Sequence, residues 1–268
     1  MSKLKNAPLY FTLGQVQHNP VLDLGSFLPS IQESMRKSGY PDFKQGQQIA
    51  VQLPQLGTQP VGHNPQPVLQ KIDRFVFLNV ESTRSFVMMP NALSFQTTDY
   101  DTFEAFFKEL KHGLHILNES VGGLSFVERL GLRYVDAVVP GVEESMKQYV
   151  VPQVMGLPAL LDNSVFAYSF SESVLIAADV GRVVSRTIIQ SGPLGLPPDL
   201  QQLDGLKLLE RFQNFSGEHA VIDTDASLSE RRAFEMSDVD RCMNGLHGLV
   251  DKTFGATVTP FARKVWDT

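Results

Sequence analysis

Two long segments of helical periodicity, one in each half of the chain, place the tightest constraint on the fold. The first carries a single apolar stripe formed by Phe103, Phe106, Phe107, Leu110, Leu114 and Leu117. The second carries a similar stripe formed by Val239, Met243, Leu246, Val250 and Phe254. Because a helix with one apolar face must bury that face against another layer, each half needs a sheet to pack against.

Capping residues predict where the helices begin. Asp101, with Glu104 three residues later, is expected to cap the first long helix, and Ser237 is expected to cap the second. A shorter helix is predicted over residues 24–35. Another is predicted near the C terminus, where Pro260 suits the first helical turn.

Short apolar or alternating runs predict strands around these helices. The expected strands are residues 9–17, 74–80, 85–89 and 125–139, then 165–170, 173–178, 182–190 and 219–223. The first should bulge near Gly14, and the pair within 165–178 should form a hairpin. Residues 44–69 are predicted to be irregular because the run 52–67 is rich in Pro and Gly; a long hairpin connection is the alternative.

The order of these segments predicts an α+β fold with two subdomains. Residues 1–145 and 146–268 would each form a mainly antiparallel sheet covered by one long amphipathic helix. The two halves match in the order of their elements and not in their residues, so an internal duplication is a hypothesis only.

Composition narrows the class of protein. The 268 residues are 43% hydrophobic and 19% charged, which is typical of a globular chain and excludes a disordered one. The single cysteine, Cys242, excludes an internal disulfide and a cysteine zinc site, and it is expected to be buried in the last long helix. A net charge of −6 argues against bulk binding to nucleic acid, although a local basic patch stays open.

The N-terminal residues predict the compartment. Lys3 and Lys5 are not followed by the apolar core and cleavage site of a secretory signal. No run approaches the roughly 20 apolar residues that a membrane helix requires. We therefore expect a cytoplasmic protein with no membrane partner.

The stretch from Glu128 to Asp136 is a strand with charges inside it. Arg129, Gly131 and Arg133 should share one face, with Glu128 and Tyr134 on the other. Two arginines on one face can bind a carboxylate or phosphate, and Gly131 leaves room for a ligand, another backbone or a large ring. Glu128, Arg129, Arg133 and Tyr134 are therefore candidate binding residues, which makes a nucleotide or RNA binder one alternative. Ion pairs with a neighbouring strand are the other interpretation.

Asp223 and Asp225 form the sharpest candidate for chemistry. On an extended strand they share a face with His219, and two carboxylates can hold Mg²⁺ while the histidine supplies a base. A metal-dependent hydrolase or nuclease is therefore a second alternative. An Asp-x-Asp sequence is also a common turn and capping composition.

The remaining motifs carry no chemistry. His112 and His115 lie on the polar side of the first long helix, where a solvated face explains them better than a metal site. The sequence contains no nucleophile elbow, phosphate loop or dinucleotide fingerprint. We expect no cofactor and no metal.

Three segments together resemble one family. They are Leu4–Leu9 opening the first strand, the stretch Glu128–Asp136, and a C-terminal pattern of Phe254, Thr259, Ala262, Arg263 and Trp266. The chain resembles, over essentially its whole length, a sporadically distributed family of uncharacterised bacterial proteins of about this size. Asp136 stands where that family often has Asn. The resemblance implies a cytoplasmic α+β protein of unknown activity, patchily distributed as if by horizontal transfer, with no established catalytic residues to carry over.

No constellation in the sequence meets the geometric requirements of a catalytic site. We therefore expect a non-enzymatic binding or protein-interaction protein that uses a sheet face or the run 52–67. Its partner would be another protein or a second copy of itself.

Overall fold

The computed structural model of the chain describes residues 5–52, 68–161, 168–200 and 205–267; for residues 48–52 and 68–70 it describes the backbone alone. The strands are β1 (Leu9–His18), β2 (Asp42–Gln52), β3 (Val68–Leu78), β4 (Arg84–Met89), β5 (Ala92–Thr97), β6 (Phe126–Val138), β7 (Tyr168–Ala177), β8 (Gly181–Pro193) and β9 (Ser216–Ala233). The helices are α1 (Leu24–Lys37), α2 (Phe103–Ser120), α3 (Met146–Tyr149), α4 (Pro152–Met155), α5 (Glu210–Gln213), α6 (Met236–Thr257) and α7 (Pro260–Asp267).

In the described part of the chain, the nine strands form one antiparallel sheet in the order β2-β3-β4-β5-β1-β6-β9-β8-β7. The predicted α+β class and antiparallel pairing are confirmed. The predicted division into two subdomains is not confirmed, because β6 and β9 join the halves through a ladder from Phe126 opposite Ala233 to Val138 opposite Ala220. One sheet therefore runs through both halves.

The long helices cover one face of this sheet, which we call the helical face. Phe106 and Leu110 of α2 and Met243 and Leu246 of α6 are buried in one core with residues of the central strands. The short helices α3, α4 and α7 extend this layer, with Tyr149 and Trp266 buried in an adjoining cluster. The two apolar stripes that the sequence predicts are therefore the faces that the helices bury.

The opposite face, which we call the open face, is covered only in part by the described residues. The segment formed by residues 194–200 and 205–215, which we call the strap, lies across its apolar end. Leu194, Leu206 and Phe212 of the strap are buried there against side chains of the sheet. The hydroxyl of Tyr10 donates a hydrogen bond of 2.7 Å to the carbonyl of Gly195, which ties the strap to β1.

Two strand predictions are corrected. The irregularities of β1 lie between Leu9 and Phe11 and between Gln17 and His18, and not at Gly14. Gly14 instead gives room to Leu110 and Phe106 of α2, whose side chains would lie 3.0 Å from a Cβ at this position. Residues 44–52 and 68–69 are not irregular: they belong to β2 and β3, which pair over eleven residues each. The sequence did not predict this polar hairpin because it is stabilised by backbone pairing and shows little apolar alternation. Residues 53–67 of the predicted loop lie outside the described residues.

The strands of the second half are longer than predicted. Residues 168–177 form the single strand β7 and no hairpin, whereas residues 162–167 lie outside the description. The strand predicted at 219–223 extends over the whole of β9, because its polar residues pair with β6 and β8 on both sides.

The helix ends differ in detail. Thr102 and not Asp101 caps α2, since its hydroxyl accepts a hydrogen bond of 3.2 Å from the backbone of Ala105. Glu235 and not Ser237 precedes α6. Pro260 begins α7, as predicted, and Cys242 is buried in α6. Across the described residues, no helix combines the length and the apolar character needed to cross a membrane.

Candidate functional site

Arg133 is the centre of a buried ion-pair network on the open face. Its Nε and Nη2 atoms donate hydrogen bonds of 2.7 and 2.8 Å to the two carboxylate oxygens of Asp223. Nη2 also donates a bond of 3.1 Å to Asp199 of the strap. The side chain of Arg133 is 7% exposed and that of Asp223 is 1% exposed, so their charges compensate each other away from water.

The network continues to the edge of the sheet. Arg186 of β8 donates a hydrogen bond of 3.3 Å to Asp223 and another of 2.6 Å to Glu172 of β7. Charges of alternating sign therefore cross four neighbouring strands, β6, β9, β8 and β7. Arg133 therefore forms an ion pair with a neighbouring strand, which is the alternative interpretation of the sequence.

Arg129 lies on the same face and has a different environment. Its Nη1 atom donates a hydrogen bond of 3.1 Å to the side chain of Gln15 on β1. A Cβ on Gly131 would lie 2.9 Å from this nitrogen, so the space at Gly131 is occupied by Arg129 itself. The side chain of Arg129 therefore fills the space that we expected a ligand, another backbone or a large ring to occupy.

A cleft of about 420 Å³ lies on the open face between the sheet and the strap. Its floor includes Gln15, Ser94 and Gln96, and its wall includes Asp199 and Leu200. The amide of Gln15 donates a hydrogen bond of 3.1 Å to Ser94, whereas the buried side chain of Gln96 has no hydrogen bond within the described residues. The cleft offers amide and hydroxyl groups, with Arg74 and Asp199 and several apolar side chains around them, which suits hydrogen bonding to a polar ligand and supplies no nucleophile with a base.

Tyr134 lies on the helical face, away from the two arginines, whereas Glu128 lies at the register shift of β6 between Val127 and Arg129. The hydroxyl of Tyr134 lies 2.8 Å from that of Tyr100 and 3.4 Å from Nδ1 of His247 on α6. Glu128 accepts a hydrogen bond of 2.7 Å from Arg231 at the exposed end of the ladder. The four candidate binding residues are therefore divided between two faces and do not form one site.

A buried acid accompanies Tyr134 on the helical face. Asp136 is 5% exposed, and its side chain makes no hydrogen bond within the described residues. Burial, reinforced by the negative charge of Asp223, raises the pKa of Asp136 well above its ordinary value. Burial likewise raises the pKa of Tyr134 and lowers the pKa of His247. All three shifts favour the uncharged forms, which fits a buried layer better than a site that exchanges charge with substrate.

The proposed hydrolase residues do not converge. His219 is fully buried, with Nδ1 2.9 Å from the carbonyl of Gly217. It lies four residues before Asp223, about 13 Å along an extended strand. Asp223 is engaged by Arg133 and Arg186, and burial raises the pKa of Asp225 against the charges of the nearby arginines. Within the described ranges, no group of three or more His, Cys, Asp or Glu side chains is placed to hold a metal ion.

The histidines of α2 form no site either. Nε2 of His112 lies 2.7 Å from the hydroxyl of Ser38, which follows α1. His115 is exposed on the outer side of the helix. This agrees with the polar-face interpretation of the sequence.

The most unusual surface of the molecule is the outer edge of β7, which the sequence did not single out. β7 ends the sheet and pairs only with β8 among the described strands. Its exposed side chains are nevertheless large and apolar: Tyr168, Phe170, Val174, Leu175 and Ile176, the last 84% exposed. The preceding residues Leu157, Leu160 and Leu161 are exposed too. We call these eight residues and their strand the β7 edge.

The comparisons with known proteins do not indicate a function. No protein-family model, no curated protein and no solved structure matches the chain. The family resemblance drawn from the sequence therefore stays a prediction.

Proposed function

We propose that this chain is a non-enzymatic protein-interaction protein and that its partner adds a strand to the β7 edge. The observation that carries the proposal is an exposed, apolar strand at the end of the sheet. The same proposal includes the cytoplasmic location and the two subdomains that the sequence predicts.

Edge strands of folded proteins are ordinarily protected against pairing with other chains. Charged side chains, Pro, bulges or a covering element serve this purpose. β7 contains no Pro and no Lys, and it pairs with β8 without a register shift. Its one charged residue, Glu172, forms an ion pair at 2.6 Å with Arg186, which it shares with Asp223. Among the described strands, none pairs with the outer side of β7, which leaves its backbone groups available to a strand from another protein.

The apolar exposure is concentrated at this edge. Twelve large hydrophobic side chains are exposed in the described part of the chain, and eight of them lie within residues 157–161 and 168–176. Isolated exposed apolar residues are common on a protein surface, whereas a contiguous group marks an interaction site.

The geometry of the strand indicates how a partner binds. In strand addition, backbone hydrogen bonds supply affinity and alternate side chains supply specificity. Phe170, Val174 and Ile176 alternate along β7 and therefore point to the open face. They would contact the side chains of an added strand.

No observation favours the two alternatives taken from the sequence. The hydrolase at Asp223 and Asp225 lacks a third ligand within the described residues, and the carboxylate of Asp223 is taken by arginines. At the predicted nucleotide or RNA site, Arg133 is already paired with Asp199 and Asp223, which leaves Arg129 as the second cation.

A pair of matched variants tests the proposal. Val174→Lys combined with Ile176→Lys places two charges on the β7 edge, and Leu22→Lys places one on another exposed apolar residue, 96% exposed and far from that edge. We expect the wild type and Leu22→Lys to associate with a protein, either in a pull-down from bacterial extract or with themselves in sedimentation. The β7 variant should remain folded by thermal unfolding and should not associate. Equal association of all three proteins would refute the proposed function.

A further inference from the structure

We propose that the strand added to β7 is β7 of a second copy of this chain, paired antiparallel about a two-fold axis at Ser173. This inference rests on the proposed function and names its partner. The resulting dimer joins two sheets into one continuous sheet, with both open faces on the same side.

Symmetry restricts how two copies of an edge can pair. Homodimers are most often related by a two-fold axis, so that each copy contributes the same surface. Antiparallel strands lying side by side require this axis to be perpendicular to the sheet. Directly opposite residues then point to the same face, and one residue of each copy lies opposite itself.

Strand length leaves two main registers. β7 has ten residues, Tyr168–Ala177, and an axis at Glu172 or at Ser173 pairs all but one of them. An axis at Glu172 places the two Glu172 carboxylates directly opposite each other, which is destabilising. An axis at Ser173 places Glu172 opposite Val174 of the second copy. The single charge of the strand therefore selects Ser173.

The same register matches the apolar side chains. Phe170 lies opposite Ile176 of the second copy on the open face, and symmetry produces this contact twice. Pairs of aromatic and β-branched residues are among the favourable cross-strand combinations. On the helical face, α4 packs against the strand, and Leu157, Leu160 and Leu161, which follow α4 in the chain, are exposed.

Charge is compatible with self-association at this edge. Each copy carries a net charge of −6, so two copies repel at long range. Glu172 is paired with Arg186 of its own copy, and the axis at Ser173 keeps the two Glu172 carboxylates from lying directly opposite each other. Two such edges can therefore meet without a further ion pair.

Disulfide trapping tests the register. In a Cys242→Ala background, which removes the native cysteine, Ser173→Cys places one thiol of each copy at the axis. Directly opposite Cα atoms in an antiparallel pair lie about 4.5–5.5 Å apart, within the range that a disulfide spans. We expect a linked dimer after mild oxidation. Ser171→Cys is the matched control on the same strand and face, and its two thiols should lie about 13 Å apart and remain unlinked.

The other outcomes are equally informative. Linking of Ser171→Cys with Ser173→Cys in a mixture, without linking of Ser173→Cys alone, would place the axis at Glu172 and overturn the register. Sedimentation should show a dimer for the wild type. Ile176→Lys should raise the dissociation constant of this dimer by at least about tenfold, because the substitution enters the interface twice.

The two proposals fail in different ways. A wild type that stays monomeric, while the β7 edge is still required to capture another protein, overturns the dimer and leaves the proposed function in place. A wild type that forms no contact dependent on the β7 edge refutes both proposals.

Discussion

Arg133 is directly opposite Asp225 in the β6–β9 ladder, yet its guanidinium hydrogen bonds to the diagonal neighbour Asp223 at 2.7 and 2.8 Å. This choice leaves Asp225 without a hydrogen bond from Arg133 and connects Asp223 to the strap through Asp199. The pair therefore joins the two halves of the sheet and holds one wall of the open-face cleft in position.

Removing one member of this pair should be costly. Arg133→Leu leaves the buried carboxylate of Asp223 with only the longer bond from Arg186, and we expect it to lower the free energy of unfolding by about 3–5 kcal/mol. Denaturant unfolding measures the change. Arg231→Leu is the control, because it breaks an exposed pair with Glu128 and should cost no more than about 1 kcal/mol. Equal losses in the two variants would contradict a structural role for the buried pair.

The same substitution should have opposite effects at two helical glycines. A Cβ at Gly113 of α2 would overlap the ring of the buried Phe86, so Gly113→Ala should destabilise the protein by about 1–3 kcal/mol. A Cβ at Gly248 of α6 meets nothing within 4 Å, so Gly248→Ala should stabilise it by up to about 1 kcal/mol through helix propensity. Thermal and denaturant unfolding compare the two variants. Stabilisation by both would show that Phe86 has room to move.

Asp136 should make stability depend on pH. Because burial raises its folded pKa, the folded protein holds this proton more tightly than the unfolded chain, whose Asp pKa is about 3.9. Its contribution is complete below that value and is lost as pH rises through the folded pKa. The side chain of Asp136→Asn cannot ionise. This variant should therefore have a higher free energy of unfolding than the wild type at pH 8 and no such advantage at pH 4.

Unfolding of both proteins at several pH values measures this difference. Asp42→Asn, at an exposed carboxylate, is the control and should follow the wild type. A constant difference between Asp136→Asn and the wild type at every pH would show that Asp136 does not titrate in this range.

Cys242 should be inert in the folded protein. Its residue is 5% exposed, and burial raises the pKa of the thiol, so little reactive thiolate is accessible. We expect a thiol reagent to label it only in denaturant, in step with unfolding, whereas Ser173→Cys on the exposed strand should be labelled at once under dilute native conditions. Rapid labelling of Cys242 in the native protein would place it at the surface.

Local patterns made part of the fold predictable. The apolar stripes of α2 and α6 and the position of Pro260 are properties of neighbouring residues, and the structure reproduces them. The alternation predicted along β6 is kept after Arg129 and is interrupted by a register shift between Val127 and Arg129. The hairpin of β2 and β3 was missed because its side chains carry little apolar signal. The sequence singled out Arg133 and Asp223 without predicting that they pair: Asp223 lies 90 residues from Arg133, and only the strand register brings them together. The sequence did not single out the β7 edge.

The sequence by itself determined the class of the fold, the buried faces of the long helices and the division of β6 into two chemically different faces. These follow from periodicities of 3.6 and 2 residues, which act over one element at a time. The tertiary structure alone decided that both halves share one sheet, that Arg133 is neutralised, and that β7 is an edge. An apolar strand has the same sequence whether it is buried in the middle of a sheet or exposed at its end, because the difference is made by which strands pair beside it.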